Sequence, residues 1–196
     1  MKIWNQSPPL FDPAYGQEET ELHFYPANTK APAGCVIICP GGGYTSRAFH
    51  EGEPYALMFN EAGIHAAVVD YRVAPYSHPA PLLDLQRAVR FVRYHAEAWN
   101  ILPDKIAVCG SSAGGHLAMC AAEFFDRGKT EGDEIDRISC RPDAAILCYA
   151  VATLGPFTHG GTRDVITAGD SALVQALSGE KMCIRDRSAF QPRWSR

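Results

Sequence analysis

Apolar and polar positions along the chain alternate between two rhythms. "GCVIICP" (34–40) is a short continuous run of β-formers closed by proline and three glycines, the pattern of a strand buried on both faces. "IHAAVVDYRV" (64–73), "DKIAVCG" (104–110) and "DAAILCYAV" (143–151) repeat that pattern. The alternating stretch "TELHFYPA" (20–27) suits a peripheral strand. Between these runs the period lengthens. "EPYALMFNEAG" (53–63) reads as a helix stopped by glycine. In "HPAPLLDLQRAVRFVRYHAEAWN" (78–100), Leu85, Val89, Val92, Ala96 and Trp99 form one helical stripe, with Asp84 read as a charge in the first turn. A small-residue helix follows from about Ala113 to Phe125. Strands alternating with helices at this spacing predict an α/β protein, with a mainly parallel sheet covered by helices on both faces.

Length and composition narrow the picture. A chain of 196 residues supports one substantial core rather than two domains, and no repeat or low-complexity linker divides it. Apolar residues make up 46% and charged residues 20%, as in ordinary packed proteins. A formal charge of −4, a pI near 6.0 and the lack of a basic run argue against nucleic acid as a partner. No apolar run approaches the roughly 18 residues of a membrane span, and the N-terminus has no uninterrupted apolar segment of the signal-peptide kind. A cytoplasmic location without membrane partners is therefore expected. The cysteines sit mostly inside apolar runs without a C-x-x-C pair, which predicts small buried hydrophobes rather than disulfides or a metal centre.

The candidate chemistry begins at "CGSSAGGH" (109–116). Gly110 to Gly114 fit G-x-S-x-G, with a β-rich run directly before and a helix directly after. A chain that reverses from strand to helix needs tiny flanking side chains, and Ser112 then sits where unpaired helix amides favour developing negative charge. Ser112 is the candidate nucleophile. A glycine-rich turn into a serine-capped helix is the plain alternative. The second motif weighs against it: "CPGGGY" (39–44) directly follows the strand "GCVIIC". Consecutive glycines let backbone amides approach a tetrahedral oxyanion unobstructed, so Gly42, Gly43 and Ala113 are the candidate donors. A dinucleotide-binding reading fails because G-x-G-x-x-G started at Gly41 meets Ser46 at its last glycine.

With these residues in place, the sequence resembles the α/β-hydrolase superfamily, in particular bacterial acetyl-xylan-esterase-like and feruloyl-esterase-like carboxylesterases. The similar segments, in order, are "VIICPGGGY", "HEGEPYALMFNEAGIHAAVVDYRVAP", "HPAPLLDLQRAVRFVRYHA", "DKIAVCGSSAGGHLA" and "RPDAAILCYAV". Pro40 stands where many lipases of the wider class carry histidine, which favours the acetyl-esterase branch. The resemblance implies a serine esterase acting on small acyl groups, often acetyl, carried on sugars or xylan fragments, without a metal or organic cofactor. A peptidase of the same fold, or a non-catalytic pseudo-hydrolase binding a ligand in the same cleft, are the alternatives.

In this fold the triad runs serine, then Asp or Glu, then His. Downstream of Ser112 the only histidines are His116 and His159. His116 lies one helical turn past the serine and is expected to be structural, as is His159, which comes too early for the base. Asp143 opens a strand, and Asp164 and Asp170 fall in a cap-like stretch. The triad Asp and His are thus expected to be missing from this chain. "KMCIRDR" (181–187) gives the reason: reverse-translated it fits AAG ATG TGT ATA AGA GAC AGN, which resembles the mosaic-end adapter of transposase-prepared libraries. Residues 1–180 are accordingly read as a partial α/β-hydrolase domain lacking its last strands, and 181–196 as a non-native tail from sequencing-adapter read-through.

Overall fold

The computed structural model describes residues 1–17 and 20–179, so the expected non-native tail at 181–196 lies outside the described residues. Five strands form one sheet in the order β1-β3-β2-β4-β5. They are β1 (Leu22–Tyr25), β2 (Ala33–Cys39), β3 (His65–Val69), β4 (Ile101–Ser111) and β5 (Ala144–Cys148). All pairings are parallel except β1 with β3, which is antiparallel and places the alternating 20–27 segment at the sheet edge as its pattern predicts.

On β2 and β3 the continuous apolar runs are explained by burial on both faces. On β2, Cys35, Ile37 and Cys39 enter one core cluster and Val36 and Ile38 the other. The helix α1 (Glu53–Glu61) covers the second face through Ala56, Tyr55 and Phe59. The first face is covered by α2 (Ala80–Tyr94) and α3 (Ala113–Glu123), with Leu85, Val89, Val92, Leu117 and Ala121 buried. Each of these Leu and Val side chains contributes about 1.5–3 kcal/mol on burial, which sets the sheet's position between the helix layers. Five of the cysteines, Cys35, Cys39, Cys109, Cys120 and Cys140, are buried and free, and Cys148 is half-buried and free.

Three features differ from the sequence reading. Strand β5 is not buried on both faces as its apolar run predicts: Ala144 to Leu147 are all exposed, because among the described residues β5 is the sheet's edge strand. Asp84 is not a solvated first-turn charge: α2 begins at Ala80, so Asp84 falls in the second turn and is fully buried. There its carboxylate accepts from Arg72 Nε at 2.8 Å, Arg72 Nη2 at 2.9 Å, the Arg72 amide at 3.0 Å and Trp4 Nε1 at 3.2 Å. The cap-like stretch also contains two short helices, α4 (Gly160–Thr167) and α5 (Ser171–Ala176). Both are short, and each has a side-chain cap: His159 accepts from the Thr162 amide and Asp170 from the Ala172 amide. Among the described residues no helix is long and apolar enough to cross a membrane.

Candidate active site

Strand β4 ends at Ser111 and α3 begins at Ala113, leaving Ser112 alone to reverse the chain. It does so at φ 51° and ψ −118°, a left-handed conformation that costs a non-glycine residue about 1–3 kcal/mol. Three backbone hydrogen bonds hold it there. The Ser112 amide donates to Cys148 O at 3.0 Å, and its carbonyl accepts from the amides of His116 and Val151, both at 3.1 Å. The turn is too tight for side chains on its glycines. A Cβ on Gly110 would lie 2.1 Å from Gly114 O, and one on Gly114 would lie 2.0 Å from Cys39 O. Ser111 is buried beneath, while Ser112 remains partly exposed.

The glycine loop at the end of β2 packs against this turn. A Cβ built on Gly41 would stand 3.1 Å from Ser112 Cβ and 2.8 Å from Ser111 O. Gly42 and Gly43 have φ of 129° and 64°, conformations that glycine adopts freely. The loop's carbonyls are taken up internally, Gly42 O by the Thr45 and Ser46 amides at 3.0 and 3.1 Å, and Gly41 O by Ala48 N at 2.9 Å. Tyr71 donates to Pro40 O at 2.5 Å. The structure thus brings the loop of Gly42 and Gly43, the buried Ala113 and Ser112 to one place at the C-terminal ends of β2 and β4.

Sequence reasoning did not single out three residues that build this region. Glu51, 7% exposed, accepts from the Gly41 amide through Oε2 at 2.6 Å and from the Tyr149 hydroxyl through Oε1 at 2.5 Å. That carboxylate pushes the Tyr149 phenol up to about 12. Tyr44, fully buried, bonds His116 Nδ1 at 2.8 Å. His116 Nε2 lies 2.9 Å from Leu177 O, which can only accept, so the ring carries its proton on Nε2 and Tyr44 donates to Nδ1. Burial lowers the His116 pKa to about 4. Its role is structural, tying the glycine loop to α3 and to the turn after α5.

The remaining polar candidates are engaged elsewhere. His159 caps α4 through Thr162, whose Oγ1 lies 3.7 Å from a Cβ built on Gly43, so this helix start borders the loop. Asp143 accepts from the Ile106 amide and Arg93, Asp164 from Arg163, and Asp170 from the Ala172 amide. Among the described residues no histidine or carboxylate is hydrogen-bonded to the Ser112 hydroxyl. Glu21, His23 and Asp70 bring their ligand atoms within 4.8 Å of one another near the β1 edge. Arg47 stands 3.4 Å from Asp70, and the N-terminal amine 3.9 Å from Glu21, so protein cations already face this group.

The BD-FAE family model matches residues 23–176, most of the chain. The chain belongs to the BD-FAE family. This BD-FAE chain is 37% identical over 161 residues to endo-1,4-beta-xylanase B of Butyrivibrio fibrisolvens, covering 80% of itself and 25% of that protein. It is 33% identical over 133 residues to an acetylxylan esterase of Xylanibacter ruminicola, covering 67% and 25%. Thus it spans about a quarter of the length of these curated relatives. Among solved structures, it superposes with a TM-score of 0.89 on an acetyl ester-xyloside bifunctional hydrolase from Caldicellulosiruptor lactoaceticus. That match has 45% identity and covers 93% of this chain and 68% of the other. The fold is the α/β-hydrolase fold that the sequence predicts.

Proposed function

We propose that the protein is a serine carboxylic-ester hydrolase acting on small acyl esters, acetylated sugars or xylan fragments among them. The observation that carries this reading is the backbone of Ser112, held at positive φ between strand and helix with the Gly41 loop against it. In this reading the Ser112 hydroxyl attacks the acyl carbonyl carbon, and the carbonyl π electrons move onto oxygen. The amides of Gly42, Gly43 and Ala113 receive that oxyanion, each such donor lowering the barrier by about 3–4 kcal/mol. Collapse expels the alcohol and leaves an acyl-serine that water cleaves. The relatives named for acetylxylan and acetyl-ester hydrolysis support acetylated carbohydrate as the substrate class.

In this reading the chain lacks the base that would take the serine proton and hand it to the leaving alcohol, and the carboxylate that would orient that base. Without them, serine-hydrolase precedent leaves roughly 10³–10⁴ over the water reaction, about 10⁶ having been lost with the triad. The chain should therefore turn over p-nitrophenyl acetate feebly while reacting slowly and stoichiometrically with a fluorophosphonate at Ser112. Peptide mass spectrometry of wild type and Ser112→Ala locates the label. Ordinary turnover overturns the missing-base part. An inert Ser112 overturns the hydrolase reading in favour of a binding module.

A further inference from the structure

We infer that Glu51 is a positioning residue that sets the oxyanion loop against the Ser112 turn, an inference resting on the esterase reading above. Three observations converge on its carboxylate. It is nearly fully buried, although a buried carboxylate is costly unless its oxygens are satisfied. One oxygen receives the Gly41 amide at 2.6 Å, the short geometry of a charge-assisted bond. The other receives the Tyr149 hydroxyl at 2.5 Å, from the residue directly after β5.

The consequence is directional. The peptide preceding Gly41 is pinned through its N–H, and Tyr71 pins the same peptide through Pro40 O at 2.5 Å. A peptide plane held at both its donor and its acceptor cannot rotate. The next two amides, those of Gly42 and Gly43, therefore start from a fixed plane although glycine would let them wander. Tyr149 extends the constraint to the other wall. It follows Cys148, whose carbonyl accepts from the Ser112 amide, so the carboxylate links the loop to the strand end that holds the serine. Tyr55 adds a contact beneath, its hydroxyl 3.5 Å from Ser111 Oγ. Glu51 touches no reacting atom; it acts through Gly41.

The test uses the 196-residue chain and phenylboronic acid in buffer above pH 8, where boron bonds to the serine oxygen and the serine proton passes to the buffer to give a tetrahedral anionic adduct, with benzamide as a planar control. Wild type should bind the boronic acid in a manner abolished by Ser112→Ala and visible as a tetrahedral boron resonance. Glu51→Gln should weaken that binding about 10- to 100-fold while leaving benzamide affinity unchanged, and should move the Gly41 amide proton upfield. A merely structural carboxylate would weaken both ligands together, and that result overturns the inference. Undiminished boronate binding by Glu51→Gln, with Ser112 dependence intact, also overturns it and spares the esterase reading. Equal binding by wild type and Ser112→Ala sinks the esterase reading and the inference with it. Should Glu51→Gln fail to fold, Tyr149→Phe on its exposed ring carries the test. Selective loss of boronate binding supports the inference, and unchanged affinity overturns it.

Discussion

Gly41 abuts Ser112 so closely that a methyl group on the glycine would lie 3.1 Å from the serine Cβ. The same methyl group would meet the Glu51 carboxylate at 2.6 Å and the Ser111 carbonyl at 2.8 Å. The carboxylate is buried and held by two hydrogen bonds, and the carbonyl belongs to the β4 backbone, so neither yields cheaply. Gly41→Ala should therefore push the loop off the serine turn. Fluorophosphonate labelling of Ser112 is expected to slow at least about tenfold, the cost of one poorly placed oxyanion donor being larger still. Gly155→Ala is the control, since nothing lies within 4 Å of a Cβ at that position. Equal labelling rates in the two variants would show that the loop and the serine do not work together.

The buried His116 makes a pH prediction of definite sign. Its folded pKa is lowered from 6.5 to about 4, first by burial. The unfolded chain therefore binds the proton at higher pH than the native one does. Stability is complete above pH 6.5 and falls as pH drops from 6.5 to about 4, after which this residue adds no further slope. The loss is on the order of 3 kcal/mol, and the half-buried His78, lowered by the same cause, adds in the same direction. Urea unfolding between pH 7 and 4 should show this slope, and His116→Gln should flatten it. Below pH 4 a different group acts. Asp133, held to about 2 chiefly by its hydrogen bond from Arg87, contributes stability that is lost as pH falls toward 2.

How much of this was legible beforehand follows from where each signal is stored. Strands β2, β3 and β4 announced themselves as continuous apolar runs, and α2 by its Leu85–Val89–Val92 stripe, because period and burial share one cause; β5 carries the same kind of run although its side chains are exposed. Ser112 and the loop at Gly42 were legible because tight turns demand glycine at fixed offsets. Glu51 was not, since a carboxylate between His50 and Gly52 looks like any solvated acid until the loop folds back over it. Asp84 misled for a related reason: its partner Arg72 lies twelve residues upstream across a turn, at a spacing no helical rule links. Helices α4 and α5 escaped notice because at eight and six residues they are too short for a period to stand out from the turn residues around them, though each carries a side-chain cap.

The Arg72–Asp84 pair should be far more sensitive than a surface salt bridge. Both side chains are essentially without solvent contact, at 1% and 0% exposed. Arg72 also donates to Pro9 O at 2.7 Å and stacks its guanidinium over Tyr76, so it cannot follow a lost partner into water. Burial raises the Asp84 pKa while Arg72 opposes that shift. Asp84→Ala strands a buried cation and should cost about 3–5 kcal/mol in urea unfolding. A loss below 1 kcal/mol would mean that solvent or another carboxylate reaches Arg72.

Strand β5 makes the last prediction. It pairs with β4 on one side and, among the described residues, with no strand on the other. Parallel strands are ordinarily covered on both faces, yet Ile146 and Leu147, which point to opposite faces, are 38% and 44% exposed. An unpaired backbone edge flanked by exposed aliphatic side chains is a template for pairing with another chain, and a charge placed on such an edge is how natural sheets suppress that pairing. The 196-residue chain should therefore associate as its concentration rises, and Leu147→Lys should reduce the association without lowering the unfolding free energy by more than about 1 kcal/mol, because an exposed side chain has little packing to lose. Light scattering over a concentration series distinguishes the outcomes. A wild-type chain that stays monomeric throughout would mean the β5 edge is shielded in solution by something other than a strand. Association undiminished by Leu147→Lys would move the sticky surface elsewhere on the molecule.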